Sequence, residues 1–315
     1  MLPFASFLLI VSSCGLLSNA TPFVVETRTI DDDLFQRLKL MSQYASAAYC
    51  PSNHDSPGTP IKCSAGNCPL VEGLNSSTIL EYSRTETPTD VTGFVAVDHT
   101  NKLIIVSFRG SSTRDNWLTN MNFGLTHTHL CKGCTAHLGF WNSWQDARGA
   151  VVPSVLAAAM QNPGYSIVVT GHSLGGAIAA LSAASLRTLG FDTALYSFGA
   201  PRVGGHKLSE FISNQPGGTY RVTHYNDPVP RIPSLGTGYV HFSPEYYIEV
   251  ANEVEVKVQD IKVYRGAVNR KWGNGKWSHQ DKEAHRWYFT KMYSCKDAAK
   301  RGVGELEGLD VVAAF

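Results

Sequence analysis

Neither sign of charge dominates this chain. Its 27 Lys and Arg set against 26 Asp and Glu leave a formal net charge of +1. Without a basic excess there is no electrostatic footprint for nucleic acid or for an anionic membrane surface. Long apolar runs are also missing. Beyond the first 20 residues no segment reaches the roughly 18 consecutive apolar residues that a membrane-spanning helix needs. There is no internal repeat and no Pro/Gly-rich linker to cut the chain in two. No second C-x-x-C accompanies Cys131 and Cys134, and no motif implies a metal or an organic cofactor. What remains is a chain of 315 residues, 43% hydrophobic and 17% charged, which is ordinary for a single globular enzyme domain.

The first 20 residues are apolar and small, and Ser18-Asn19-Ala20 fits a small-x-small cleavage site. Met1 to Ala20 therefore reads as a secretory signal peptide, although Lys and Arg are missing from its start. Removing it takes Cys14 and leaves six cysteines in an oxidising compartment, where disulfides are expected. Six cysteines admit many pairings. Spacing favours Cys63 with Cys68 and Cys131 with Cys134, each closing a small loop, and leaves Cys50 for Cys295. A zinc site with Cys131 and Cys134 as one half is the rival reading, and secretion disfavours it. Asn75-Ser76-Ser77 is the one glycosylation sequon of the mature chain, and it lies in a polar stretch.

The most informative stretch is Tyr165 to Arg187. A β-branched run, Ile167 to Thr170, is followed by Gly171-His172-Ser173-Leu174-Gly175 and then by an alanine-rich helical segment. This is G-x-S-x-G between a strand and a helix, the setting in which a serine hydroxyl stands exposed on a tight turn. Ser173 is the expected nucleophile. Leu174 opens the helix, so its N–H is free to stabilise an oxyanion.

Around this elbow the pattern alternates. An amphipathic helix is expected from Asp31 to Tyr49, with Leu34, Phe35, Leu38, Leu40, Met41 and Tyr44 on one face. Thr92–Asp98 and Leu103–Phe108 read as a hairpin, Gln145–Met160 as a helix, and Ala194–Phe198 and Tyr220–His224 as strands. Strands alternating with helices predict an α/β fold with a mainly parallel sheet covered on both faces. Ligands of such sheets sit beyond the carboxyl ends of the strands. Asp227 lies at such an end, held by Pro228-Val229-Pro230. Ser111 lies at another, after Phe108-Arg109-Gly110, and is placed to give a second oxyanion donor. Three histidines follow Asp227, namely His241, His279 and His285. The packed segment Arg286-Trp287-Tyr288-Phe289 favours His285 as the base and leaves His279 open. Between Thr113 and Met121 a short amphipathic segment carries Trp117, Leu118 and Met121 on one face and Arg114 elsewhere, which suggests a lid over the site.

Taken in order, Ser107-Phe108-Arg109-Gly110-Ser111, Asn116-Trp117, His137-Leu138-Gly139-Phe140, Thr170 to Ala177, Gly199-Ala200-Pro201-Arg202-Val203-Gly204 and Asn226 to Pro230 resemble the secreted filamentous-fungal lipases of the class 3 family. The similarity runs from about Asp31 to Cys295. It implies an α/β-hydrolase fold that cleaves carboxylic esters of glycerol with no cofactor, and Ser173, Asp227 and His285 as its triad. It also implies Ser111 and Leu174 as oxyanion hole, a lid around Thr113–Asn120 bearing Arg114, Trp117 and Leu118, and the three disulfides proposed above. The partner it implies is an acylglycerol at a lipid surface. The domain plan is a signal peptide over 1–20, an arm or pro-segment over 21–30, the lipase domain over 31–295, and a tail over 296–315 with a dibasic site at Lys300-Arg301.

Two features depart from the family pattern. Asn269 to Lys282 is basic and aromatic, and Arg286 follows His285 where family members often carry an apolar residue. Both border the expected substrate mouth and bear on acyl length and on the number of acyl chains accepted. Two other readings share the fold: a soluble feruloyl-type plant-wall esterase and a non-catalytic lipid-binding protein. An apolar lid disfavours the first, and an intact Ser, Asp and His set disfavours the second.

Overall fold

The computed structural model describes residues 25–26, 30–82, 89–111, 124–268 and 280–295. The expected signal peptide, the tail after Cys295, His279 and the lid residues Arg114, Trp117 and Leu118 lie outside the described residues.

The chain opens with a two-residue strand, β1 (Val25–Glu26), and then helix α1 (Asp32–Ala47). Asp31 caps α1, its carboxylate accepting from Leu34 N–H at 2.7 Å, and Asp32 and Asp33 complement the helix dipole in the first turn. Phe35, Leu38, Met41 and Tyr44 bury the face expected from their spacing. A short helix α2 (Pro69–Glu72) leads into β2 (Ser76–Tyr82), then the hairpin β3 (Gly93–Asp98) and β4 (Leu103–Phe108). A small ribbon, β5 (Leu125–His127) with β6 (Thr135–His137), precedes the long helix α3 (Leu138–Gln161). The remainder alternates: β7 (Ser166–His172), α4 (Leu174–Thr188), β8 (Thr193–Phe198), α5 (His206–Asn214), β9 (Thr219–His224), β10 (Glu245–Ile248) and β11 (Ile261–Tyr264).

Helix α3 begins seven residues before the expected Gln145. Gly139 and the aromatics Phe140, Trp141 and Trp144 are poor or indifferent helix formers, so propensity places the start too late. Burial of those three rings and the His137 side chain, whose Nδ1 accepts from Phe140 N–H at 3.3 Å, stabilise the early turns.

Nine strands form one sheet in the order β1-β11-β10-β9-β8-β7-β4-β3-β2. The five in the middle, β10 through β4, run parallel, and antiparallel strands extend both edges. Pleating sends alternate residues to opposite cores. Val106, Val169 and Leu195 face the side packed by α3 and α4, whereas Ile105, Val168 and Tyr196 face the side packed by α1. With both faces covered, the parallel strands read as continuous apolar runs, and polar chemistry is left to their ends.

Three disulfides join Cys50 to Cys295 across 245 residues, Cys63 to Cys68 and Cys131 to Cys134. The sulfurs of Cys50, Cys63 and Cys295 lie within 4.8 Å of one another. Each is already bonded in a disulfide, and only a thiolate would ligate a metal.

Candidate active site

β4 and β7 are parallel neighbours, with Phe108 opposite Gly171, so the residues that follow both strands emerge at the same edge of the sheet. Ser173 sits between β7 and α4 with φ 60° and ψ −128°. A non-glycine residue held there costs on the order of 1–3 kcal/mol, and only tight surroundings keep it in place. The glycines on either side supply that tightness. A Cβ at position 171 would lie 2.3 Å from the Gly175 carbonyl oxygen, and one at 175 would lie 2.1 Å from that of Phe108. The Ser173 N–H is fixed to the Phe198 carbonyl at 2.9 Å.

The strained turn aims the hydroxyl at His285. Ser173 Oγ lies 2.8 Å from His285 Nε2, and His285 Nδ1 lies 2.8 Å from Asp227 Oδ2. Asp227 follows β9 and is almost wholly buried. Its other oxygen, Oδ1, accepts from the Val229 N–H at 2.8 Å, so the turn at Pro228 does orient the carboxylate. His285 lies in a single 3₁₀ turn, Ala284–Arg286, that needs outside support to stay in register. Two buried histidines provide it. His172 Nε2 donates to the His285 carbonyl at 2.8 Å, and His224 sits between two carbonyls, its Nδ1 2.9 Å from that of Ala284 and its Nε2 3.0 Å from that of Val250. A carbonyl only accepts, so His172 Nε2 carries its proton. His172 Nδ1 is then the acceptor for the Tyr49 hydroxyl at 2.9 Å. His285 is thereby tied through its backbone to the elbow and, through Tyr49, to the segment just after α1.

Burial pushes the imidazoles of His172, His224, His241 and His54 below their ordinary range, with the nearby His285 adding to the effect at His172. The unfolded chain therefore binds more protons than the folded one once pH drops below about 6.5. Stability from these groups is complete above that pH and is lost progressively as pH falls toward the depressed folded values. Calorimetric unfolding at about pH 5.5 should take up protons, seen as a dependence of the enthalpy on buffer ionisation heat. A melting temperature indifferent to pH between about 5.5 and 7.5 would refute this.

Leu174 is the first residue of α4, so its N–H belongs to the unsatisfied first turn beside Ser173. Ser111 stands just past β4, half-buried. The preceding Gly110 shows how closely that segment runs to the elbow, because a Cβ there would sit 3.0 Å from Ser173 Cβ. Asn75 is exposed at the start of β2, with its N–H on Thr100 Oγ1 at 3.0 Å, and its side chain is open to modification. His241, the other described histidine downstream of Asp227, hydrogen-bonds the Pro230 carbonyl at 2.6 Å beside Arg202 and Arg221, and makes no hydrogen bond to Ser173 among the described residues. Sequence reasoning missed Tyr49, His172 and His224 as parts of the site, and used Tyr288 only as part of the segment that packs His285. The sequence signal for the first two is adjacency, His172 to Ser173 and Tyr49 to Cys50, and His224 has only its place three residues before Asp227.

A secreted mono- and diacylglycerol lipase A from Penicillium cyclopium is 40% identical over 291 residues, covering 91% of this chain and 95% of the relative. Residues 105–237 match the family described as Lipase (class 3). The chain belongs to the class 3 lipases. A secreted mono- and diacylglycerol lipase 1 from Fusarium solani is 42% identical over 272 residues, 86% of this chain and 80% of that one. The crystal structure of mono- and diacylglycerol lipase from Aspergillus oryzae matches with a TM-score of 0.79 at 45% identity, over 82% of this lipase and 98% of the other chain. The lipase has the α/β-hydrolase fold, hydrolyses carboxylic ester bonds of acylglycerols and is secreted. Among the described residues no helix is long and apolar enough to cross a membrane.

Proposed function

We propose that the lipase acts on mono- and diacylglycerols at a lipid–water interface through an acyl-enzyme on Ser173. The observation that carries this reading is the unbroken hydrogen-bond chain from Ser173 Oγ through His285 to Asp227. His285 Nε2 takes the hydroxyl proton as Oγ attacks the ester carbonyl, and the negative charge passes to the carbonyl oxygen. The Leu174 N–H and Ser111 receive that charge. Collapse expels the glyceride alkoxide, which takes the proton from His285, and leaves the acyl group on Oγ. Water then repeats the steps in reverse roles, releasing fatty acid and free Ser173. Asp227 holds the Nδ1–H tautomer throughout and balances the imidazolium. The preference for few acyl chains rests on the names of the relatives at 40% and 42% identity.

The interfacial part of the reading rests on the amphipathic segment carrying Arg114, Trp117 and Leu118. Each large apolar side chain moved from water to a covered site contributes roughly 1.5–3 kcal/mol, enough for Trp117 and Leu118 to hold a lid shut in water. Lipid would bury the same surface and remove the bias. The rate on a long-chain monoacyl ester should rise sharply once substrate passes its solubility limit. Trp117→Ser should blunt that rise and spare a dissolved short-chain ester. A panel of emulsified mono-, di- and triacylglycerols, a dissolved ester and methyl ferulate reads all of this together. Equal loss on every substrate, with no discontinuity in the parent protein, would make Trp117 structural. Faster turnover of methyl ferulate than of any glyceride would move the reading to a soluble esterase.

A further inference from the structure

Two stretches of the sequence have contributed no hydrogen bond to the site as drawn: Gly199-Ala200-Pro201 and Trp287-Tyr288-Phe289. They meet at Asp227. We propose that Tyr288 is a positioning residue, whose phenol, bonded to Asp227 Oδ2, sets both the direction of the carboxylate and the basicity of His285.

Asp227 Oδ2 accepts two hydrogen bonds, from His285 Nδ1–H at 2.8 Å and from the Tyr288 hydroxyl at 2.5 Å. With Val229 N–H on Oδ1, both oxygens of the carboxylate are aimed by protein donors. Tyr288 is fully buried, its ring packed against His172, His224 and Phe198. Water therefore cannot stand in for the phenol if it is removed without a cavity. Gly199 lies directly after β8 with φ +57°, and a Cβ there would sit 2.9 Å from the Tyr288 hydroxyl and 3.0 Å from Asp227 Oδ2. The glycine leaves the room in which phenol and carboxylate meet. Burial, and next the Asp227 charge, push the phenol well above its ordinary range, so it remains a donor at every working pH.

The chemical effect follows from sharing one oxygen. A short bond from a neutral donor draws negative charge off Oδ2 and weakens its hold on the imidazolium. His285 then returns more readily to the neutral form that can accept the serine proton. Removing the phenol leaves a more basic carboxylate, so the proton stays on His285 to higher pH. The groups facing this pair do not blur the effect. Burial pushes the imidazoles of His172 and His224 down, the Tyr293 phenol is pushed up to about 12, Arg231 stays charged, and Glu245 is paired with Arg221 at 3.3 Å.

This inference rests on Ser173, His285 and Asp227 acting as the triad, and the test separates the two. The pH profile of kcat/KM on a dissolved short-chain ester is measured for the parent lipase, for Tyr288→Phe, and for Tyr288 replaced by 3-fluorotyrosine. Tyr288→Phe should move the acid limb up by about one pH unit and lower plateau kcat roughly tenfold with KM unchanged. 3-Fluorotyrosine, a stronger donor of nearly the same shape, should move the limb the other way. A limb that stays in place in both variants would overturn the proposal and leave Tyr288 a packing residue. If Tyr288→Phe does not fold, the fluorotyrosine protein decides alone, since it keeps the ring and its contacts. Full activity in Ser173→Ala would instead sink the triad itself, whatever the Tyr288 proteins do.

Discussion

Ser173→Ala is expected to lower kcat on a dissolved ester by about 10³-fold or more while leaving the melting temperature nearly unchanged. The hydroxyl is the only group lost, and His285, which meets it through Nε2, keeps its bond to Asp227 through Nδ1. His285→Ala should fall almost as far, because a serine without a base is a weak nucleophile at neutral pH. The decisive comparison is the double variant. Residues that act as one unit are not additive, so Ser173→Ala/His285→Ala should be no worse than Ser173→Ala alone. Losses that multiply would mean that the two side chains contribute independently. A Ser173→Ala protein within tenfold of the parent would remove the elbow from the mechanism.

The other large effect is on stability. Replacing both Cys50 and Cys295 by Ala should destabilise the lipase by about 2–5 kcal/mol, because the bridge closes a very long loop in the unfolded chain. The loop spans 245 residues, and both cysteines are fully buried. At the few degrees per kcal/mol typical of a domain this size, the melting temperature should drop by roughly 10 °C. Activity should suffer as well at moderate temperature. The bridge adjoins Tyr49, which bonds His172 at 2.9 Å, and the segment it anchors carries His285. The Cys131–Cys134 bridge closes three residues near the surface, and its loss should cost far less. Equal effects from the two removals would contradict the loop argument.

How much of this was legible beforehand depends on how local each signal is. The elbow is local: glycines at 171 and 175, the strand before and the helix after all lie within one stretch, and the close approaches at both glycines are real. Helix α1 was legible for the same reason, its cap and apolar face being written in consecutive residues. The start of α3 was not, since burial of Trp141 and Trp144 outweighs weak propensity there. Strands β2, β10 and β11 also escaped notice. β2 carries a bulge between Thr78 and Leu80 that breaks its alternation, and β10 and β11 are four residues each. In the site, the residue types were readable but their supports were not. No spacing rule connects His224 to Ala284 or Tyr49 to His172, because sheet order alone brings those segments together.

The separation between Ser173 and His285 has a consequence for the cell that makes this enzyme. Ser173 and His285 are 112 residues apart, and His285 belongs to the last described segment of the chain. During synthesis Ser173 therefore emerges long before His285. The segment bearing His285 is joined covalently to Cys50, just after α1, only when Cys50 and Cys295 oxidise, which belongs to the export route rather than the cytosol. A chain still short of its last segment thus carries the Ser173 hydroxyl with His285 not yet made.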